Sequence, residues 1–210
     1  MTTPQIPDKL IYQGKEYEWN GFSPAYEYFK KNEFKPPKEA LETSANYGIF
    51  IYTYSIIDDK LYLTDVEILI EEKVKYGENY VPELADKSVF DDYFPNSDKI
   101  LMTEHSNIQV IPYGETVEVT KNGWTDIQNT NYLVFDFKDG KILSEFDLTY
   151  RKIGKLKKKQ FKEFKKTELY KKALIDKKSD LEDFNYFRPN KYSMDEYLEL
   201  IIFRLIKHLV

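Results

Sequence analysis

Apolar and polar residues alternate with a period of two over much of the first 150 positions, then step by three and four near the end. The clearest alternation lies in residues 48–70, GIFIYTYSIIDDKLYLTDVEILI. In its first half Phe50, Tyr52, Tyr54 and Ile56 fall on one face, and Ile49, Ile51, Thr53, Ser55 and Ile57 on the other. In its second half Tyr62, Thr64, Val66, Ile68 and Ile70 share a face, with Asp65 and Glu67 opposite. Asp58-Asp59-Lys60 separates the halves, so the pattern predicts a β-hairpin. The first run is apolar on nearly both faces and is expected inside a sheet.

Further hairpins are expected around Gly14-Lys15 and around Asp139-Gly140, where tight turns with positive φ are favoured. Together with Asp59-Lys60 these make three similar turns in one antiparallel sheet. Ser23-Pro24 starts a short helix with Tyr26, Phe29 and Tyr28 on its buried side, ending by Asn32. Residues 81–86 read as a loop begun by Pro82, and 88–94 as a helix capped by Ser88. Residues 100–102, 108–111 and 116–120 are candidate strands, the last two joined by Pro112-Tyr113-Gly114. A strand over 132–137 pairs with one over 142–150, whose outer face is polar. Residues 151–178 are helical with a break near Thr167, and Ser179 to Glu182 resembles a capping box. The cleanest helix spans 193–210, capped by Ser193 and Glu196, with His208 in its last turn. Strands followed by helices give an α+β class: an antiparallel sheet domain with short helices over 1–150, and a basic then amphipathic helical segment over 151–210 packed on one face.

Composition changes this picture in two places. Residues 151–178 hold 13 Lys/Arg against 3 acids, whereas the remaining chain holds 18 against 33. Residues 65–104 hold 11 acids against four lysines, interleaved with Tyr76, Tyr80, Phe90, Tyr93 and Phe94. At 210 residues, with roughly 70% of the unfolded surface open to burial, the chain is long enough for a real core. A soluble protein is expected: no run reaches the ~20 apolar residues of a membrane span. No signal peptide is visible, which fits a cytoplasmic location.

Candidate chemistry is sparse. With no cysteine there are no disulfides, thiolate zinc sites or cysteine nucleophiles, and only His105 and His208 are available for imidazole chemistry. No phosphate-binding glycine loop, zinc-protease helix motif or serine nucleophile elbow occurs. Asp58-Asp59 and Asp91-Asp92 read as turn formers or solubilising residues. We therefore expect no enzyme, no catalytic or metal residues and no cofactor. The 18 Tyr either fill sheet positions or form a contact surface.

Residues 7–17, PDKLIYQGKEY, and 61–68, LYLTDVEI, resemble small uncharacterised bacterial proteins of the toxin-immunity type. That resemblance implies an inhibitor that binds and occludes a cognate protein toxin, and supplies no active site. The acidic, aromatic middle fits a toxin with a basic surface, with Tyr76, Glu78, Tyr80, Asp91, Asp92 and Tyr93 as contacts. The alternative is a nucleic-acid or anionic-surface module built on 151–178, with Lys157, Lys158 and Lys159 on phosphates and Phe161 and Phe164 stacking on bases.

Overall fold

Three two-residue turns set the strand pairing. Gln13-Gly14, Asp58-Asp59 and Asp139-Gly140 all have positive φ at both positions, between 49° and 73°. This is the mirror-image turn whose twist matches that of the flanking strands. The computed structural model describes residues 5–46, 48–76, 79–121 and 123–210. It is α+β and divides into two units: residues up to His105 with Asp139–Lys141, and Ser106–Lys138 with Ile142–Val210. Among the described residues no helix is long and apolar enough to cross a membrane.

In the first unit β1 (Asp8–Tyr12) and β2 (Lys15–Trp19) form a hairpin. Helix α1 (Pro24–Lys31) follows, then the hairpin of β3 (Phe50–Ile57) and β4 (Lys60–Tyr76). β5 (Asn79–Ser88), the four-residue helix α2 (Phe90–Tyr93) and β6 (Ile100–Leu101) complete it. The strand order is β2-β1-β3-β4, and β5 and β6 both pair with β4. β1 and β3 run parallel; the other paired strands of the unit run antiparallel. β3 is interior, as its two-sided apolar pattern predicts.

The facing of β4 differs from strict alternation. Thr53 pairs with Asp65 but Tyr54 pairs with Leu63, which leaves Thr64 as an extra residue, a β-bulge. Leu61 and Leu63 are buried before it, and Val66 and Ile68 after it. The buried set therefore changes parity, and Tyr62 and Thr64 do not share the face of Val66 and Ile68. The Thr64 hydroxyl donates to the Thr53 carbonyl at 3.2 Å, which holds the bulge.

Helix α1 packs on this sheet through Phe29, whose ring lies 5.0–5.2 Å from those of Phe34, Phe50, Tyr52 and Tyr93. It ends at Asn32 as expected, but Tyr26 is exposed rather than buried. Ser23 occupies the N-cap position without a side-chain cap. The Tyr54 hydroxyl does that work from the sheet: it accepts from the Ala25 N–H at 3.0 Å and lies 2.7 Å from Ser23 Oγ. Residues 81–86 are strand, not loop. Pro82 is tolerated because β5 is an edge strand that need not donate there. Ser88 ends β5 and donates to Asp65 at 2.6 Å, so it caps no helix.

The second unit contains β7 (Ile108–Lys121), β8 (Trp124–Lys138) and β9 (Lys141–Thr149, from Ile142 on), ordered β7-β8-β9. β7 is one strand: Pro112-Tyr113-Gly114 is a register shift within it, with Gly114 at φ 79°, not a connection between two strands. β8 begins eight residues earlier than its apolar run, because 124–131, though mostly polar, is held by the backbone ladder with β7 and by the Thr120–Thr125 hydroxyl pair at 2.8 Å. Helices α3 (Tyr150–Phe164), α4 (Glu168–Asp176), α5 (Lys178–Asn185) and α6 (Met194–Leu200) follow. Ile153, Phe161, Phe164, Leu198 and Ile202 join Ile108, Tyr132 and Val134 in one core. Thr167 marks the expected helix break and caps α4. Ser179 is not a cap, because α5 starts from Lys177.

The predicted helix over 193–210 keeps its Ser193–Glu196 capping box but stops at Ile201, followed by a 3-10 turn at Ile202–Arg204. Tertiary hydrogen bonds take over from there. The buried Asp136 carboxylate accepts from the Leu209 N–H at 2.8 Å and lies 2.7 Å from His208 Nδ1. The buried Gln160 amide both donates to and accepts from the Val210 backbone. His208 thus meets a carboxylate on β8 rather than a helix dipole.

Candidate functional site

Two features of the first unit could engage another molecule. The first is a ribbon. Past Ile68, β4 leaves β3 and continues with β5 alone, and no residue of β5 is buried. Pairing Val74 with Val81 and Glu72 with Glu83 gives one face carrying Tyr76, Val74, Val81, Glu72 and Glu83. The opposite face carries Lys75 with Tyr80 and Glu71 with Leu84. Tyr76 is 55% exposed, Tyr80 63% and Leu84 61%. Glu72 and Glu83 sit directly opposite each other, a like-charge pairing that costs stability. The Tyr76 hydroxyl donates to Glu83.

The proposed partner contacts do not gather in one place. Tyr76 and Tyr80 lie at the far end of the ribbon, and Glu78 is outside the described residues. Asp91 and Asp92 are exposed on α2, beyond the other end of β5. From Tyr80 to Ser88 the strand spans about 26 Å at ~3.3 Å per residue. Tyr93 is half-buried; its ring packs 5.2 Å from that of Phe34 and its hydroxyl donates to the Lys35 carbonyl at 2.6 Å. It serves the aromatic core under α1.

The lysine-rich helices also differ from expectation. Phe161 and Phe164 are buried, T-shaped against Tyr170, and closed to base stacking. Lys165 pairs with Asp195, Lys166 with Glu163, Lys171 with Glu168 and Lys177 with Asp180. Lys157 donates to the Leu200 carbonyl at 3.0 Å, and burial lowers its pKa. Lys152, Lys155, Lys158, Lys159 and Lys162 remain exposed on α3.

The second feature is a cavity of about 450 Å³ that the sequence reading missed. Strand register builds its floor. Asp8 pairs with Trp19 across β1–β2, and its carboxylate accepts the Tyr52 N–H at 3.0 Å. Trp19, Asp8 and Tyr52 thus make a row over three strands. Tyr26 and Glu27 of α1 and Phe50 of β3 line it too. A hydrogen bond from Ser23 also reaches Asp8, yet burial pushes the Asp8 pKa up to about 6. The Tyr52 side chain is 3% exposed, and its hydroxyl has no hydrogen-bond partner. The only sequence signal was an acid beside an aromatic-rich stretch, because the lining comes from three separate segments.

Among the described residues no three His, Asp or Glu side chains cluster as metal ligands would. No family model, no curated protein and no solved structure matches this chain.

Proposed function

We infer that this chain is a binding protein of the bacterial immunity kind, which occludes a cognate protein toxin through its acidic, aromatic ribbon. The observation that carries the reading is the β4–β5 ribbon itself. It holds Tyr76, Tyr80 and Leu84 more than half exposed to water, a cost that contact with a partner would offset. Exposed Tyr beside carboxylates suits a partner with a basic surface, since aromatic anchors give affinity and charge steers approach. The Glu72–Glu83 opposition fits the same reading, because a partner cation between them relieves the repulsion. Residues 7–17 and 61–68, which carry the resemblance to toxin-immunity proteins, form the β1–β2 hairpin and the start of β4.

The test uses the toxic domain encoded by the adjacent open reading frame, with binding followed by surface plasmon resonance. Glu72→Lys with Glu83→Lys is expected to raise the off-rate at least about tenfold and to flatten the salt dependence of the on-rate. Asp91→Lys with Asp92→Lys, far along the strand, is expected to act mainly on the on-rate. Unchanged rate constants in the ribbon variant, or no complex with wild type, reject the reading.

A second reading rests on the exposed lysines of α3, which suit an anionic polymer bound through its phosphates or sulfates without stacking.

A further inference from the structure

The cavity floored by Asp8 is built to hold something positive. Among the described residues its lining includes two acids, Asp8 and Glu27, and no Lys, Arg or His. An ionised carboxylate offers about four acceptor positions. Asp8 uses two, on the Tyr52 N–H and the Ser23 side chain, and no cation pairs with it among the described residues. The Tyr52 side chain lines the cavity too, though its hydroxyl is closed to water and has no hydrogen-bond partner among the described residues.

The walls decide which cation. Trp19, Tyr26, Phe50 and Tyr52 give an aromatic lining, which attracts organic cations through their ring quadrupoles. A hydrated divalent ion prefers several oxygen ligands and gains nothing from rings. Two carboxylates repel anions. The volume falls within the range of about 300–1,000 Å³ common to small-molecule sites. Ile6 and Phe22 line the cavity and are exposed, which leaves an apolar rim suited to an alkyl chain.

We propose that this cavity binds an alkylammonium group, held by Asp8 within an aromatic wall, with Glu27 at the entrance. The ammonium donates to the remaining acceptor positions of the Asp8 carboxylate, and its chain lies against the rings. The group belongs either to a free amine or to a lysine side chain of a peptide. The site stands on its own lining and does not depend on the ribbon binding a toxin.

Trp19 and Trp124 are the only tryptophans, so Trp124→Phe leaves Trp19 as a fluorescent reporter inside the cavity. In that background n-butylammonium is titrated against n-pentanol, a neutral alcohol one methylene longer. Saturable binding near about 1 mM is expected for the ammonium, with pentanol at least about tenfold weaker. Asp8→Asn keeps an acceptor for the Tyr52 N–H, and is expected to abolish the preference for ammonium while leaving pentanol unchanged. Glu27→Gln, at an exposed position, gives a variant whose folding is not in question and is expected to lose about twofold. A free-amine source predicts that Nα-acetyl-lysine amide fails to bind, and a peptide source predicts that it binds. Equal affinity for pentanol and butylammonium, no saturable signal, or indifference of the preference to both Asp8→Asn and Glu27→Gln overturns the proposal. None of these results depends on a toxin, so they leave the ribbon reading untouched.

Discussion

Burial alters the proton affinity of Asp8 and of His105 within the acidic range, in opposite directions. Burial raises Asp8 from 3.8 to about 6 and lowers His105 from 6.5 to about 4. His105 sits against the rings of Trp19 and Phe22, at 5.8 and 6.5 Å. Around Asp8 lie Ser23, Tyr52 and the Glu27 carboxylate. The folded chain binds the Asp8 proton more tightly than the unfolded chain, so this group makes stability fall as pH rises from about 4 to 6. His105 is protonated first when unfolded, so it makes stability rise between about pH 4 and 6.5. The two slopes nearly cancel. Asp8→Asn is expected to uncover the His105 slope, with stability climbing by about 1–3 kcal/mol across that window, read from urea midpoints at each pH. Curves for wild type and variant that run parallel would exclude opposed titration.

The turns belong to the scale of elements, and two of their glycines separate conformation from space. Gly14 and Gly140 share nearly the same positive φ, 73° and 72°. A Cβ on Gly14 meets nothing within 4 Å, whereas one on Gly140 meets the Met102 carbonyl oxygen at 2.6 Å. Gly14→Ala is expected to cost about 1 kcal/mol for its dihedral alone. Gly140→Ala should cost at least about 2 kcal/mol, as backbone must also move. Equal thermal shifts for the two variants would show that the Met102 approach is not tight. These turns were legible in sequence because a two-residue loop with positive φ has its own chemistry. The Ser193–Glu196 cap and the Thr167 break were legible for the same reason. Elements fixed by distant partners were not. β5 is strand because β4 lies beside it, despite Pro82. Residues 205–210 leave the helical path because Asp136 and Gln160 hold them. The Asp8 cavity was invisible because its row exists only once β1, β2 and β3 are in register.

Across the whole molecule charge is unevenly divided. The first unit carries 12 Lys/Arg against 21 acids, and the second 19 against 15. Within the second unit Lys165, Lys166, Lys171 and Lys177 are neutralised by neighbouring acids, whereas α3 carries five exposed lysines along its length. Heparin added to isotopically labelled protein at low salt is therefore expected to shift amides of 151–162 and leave 5–105 unmoved, with the effect fading steeply as salt rises. Shifts spread evenly over both units would show that the local ion pairs do not confine the positive field.

The extra residue at Thr64 reaches well past its own position. It resets the strand's parity, so the sidedness of the distal ribbon is decided ten residues upstream. Losing that residue would swap Tyr76 and Glu72 with Lys75 and Lys73, trading an acidic side for a basic one without a single substitution, unless Val66 and Ile68 held their seats and forced the turn to re-thread. Natural length variation between Leu63 and Val66 should therefore come in pairs or not at all.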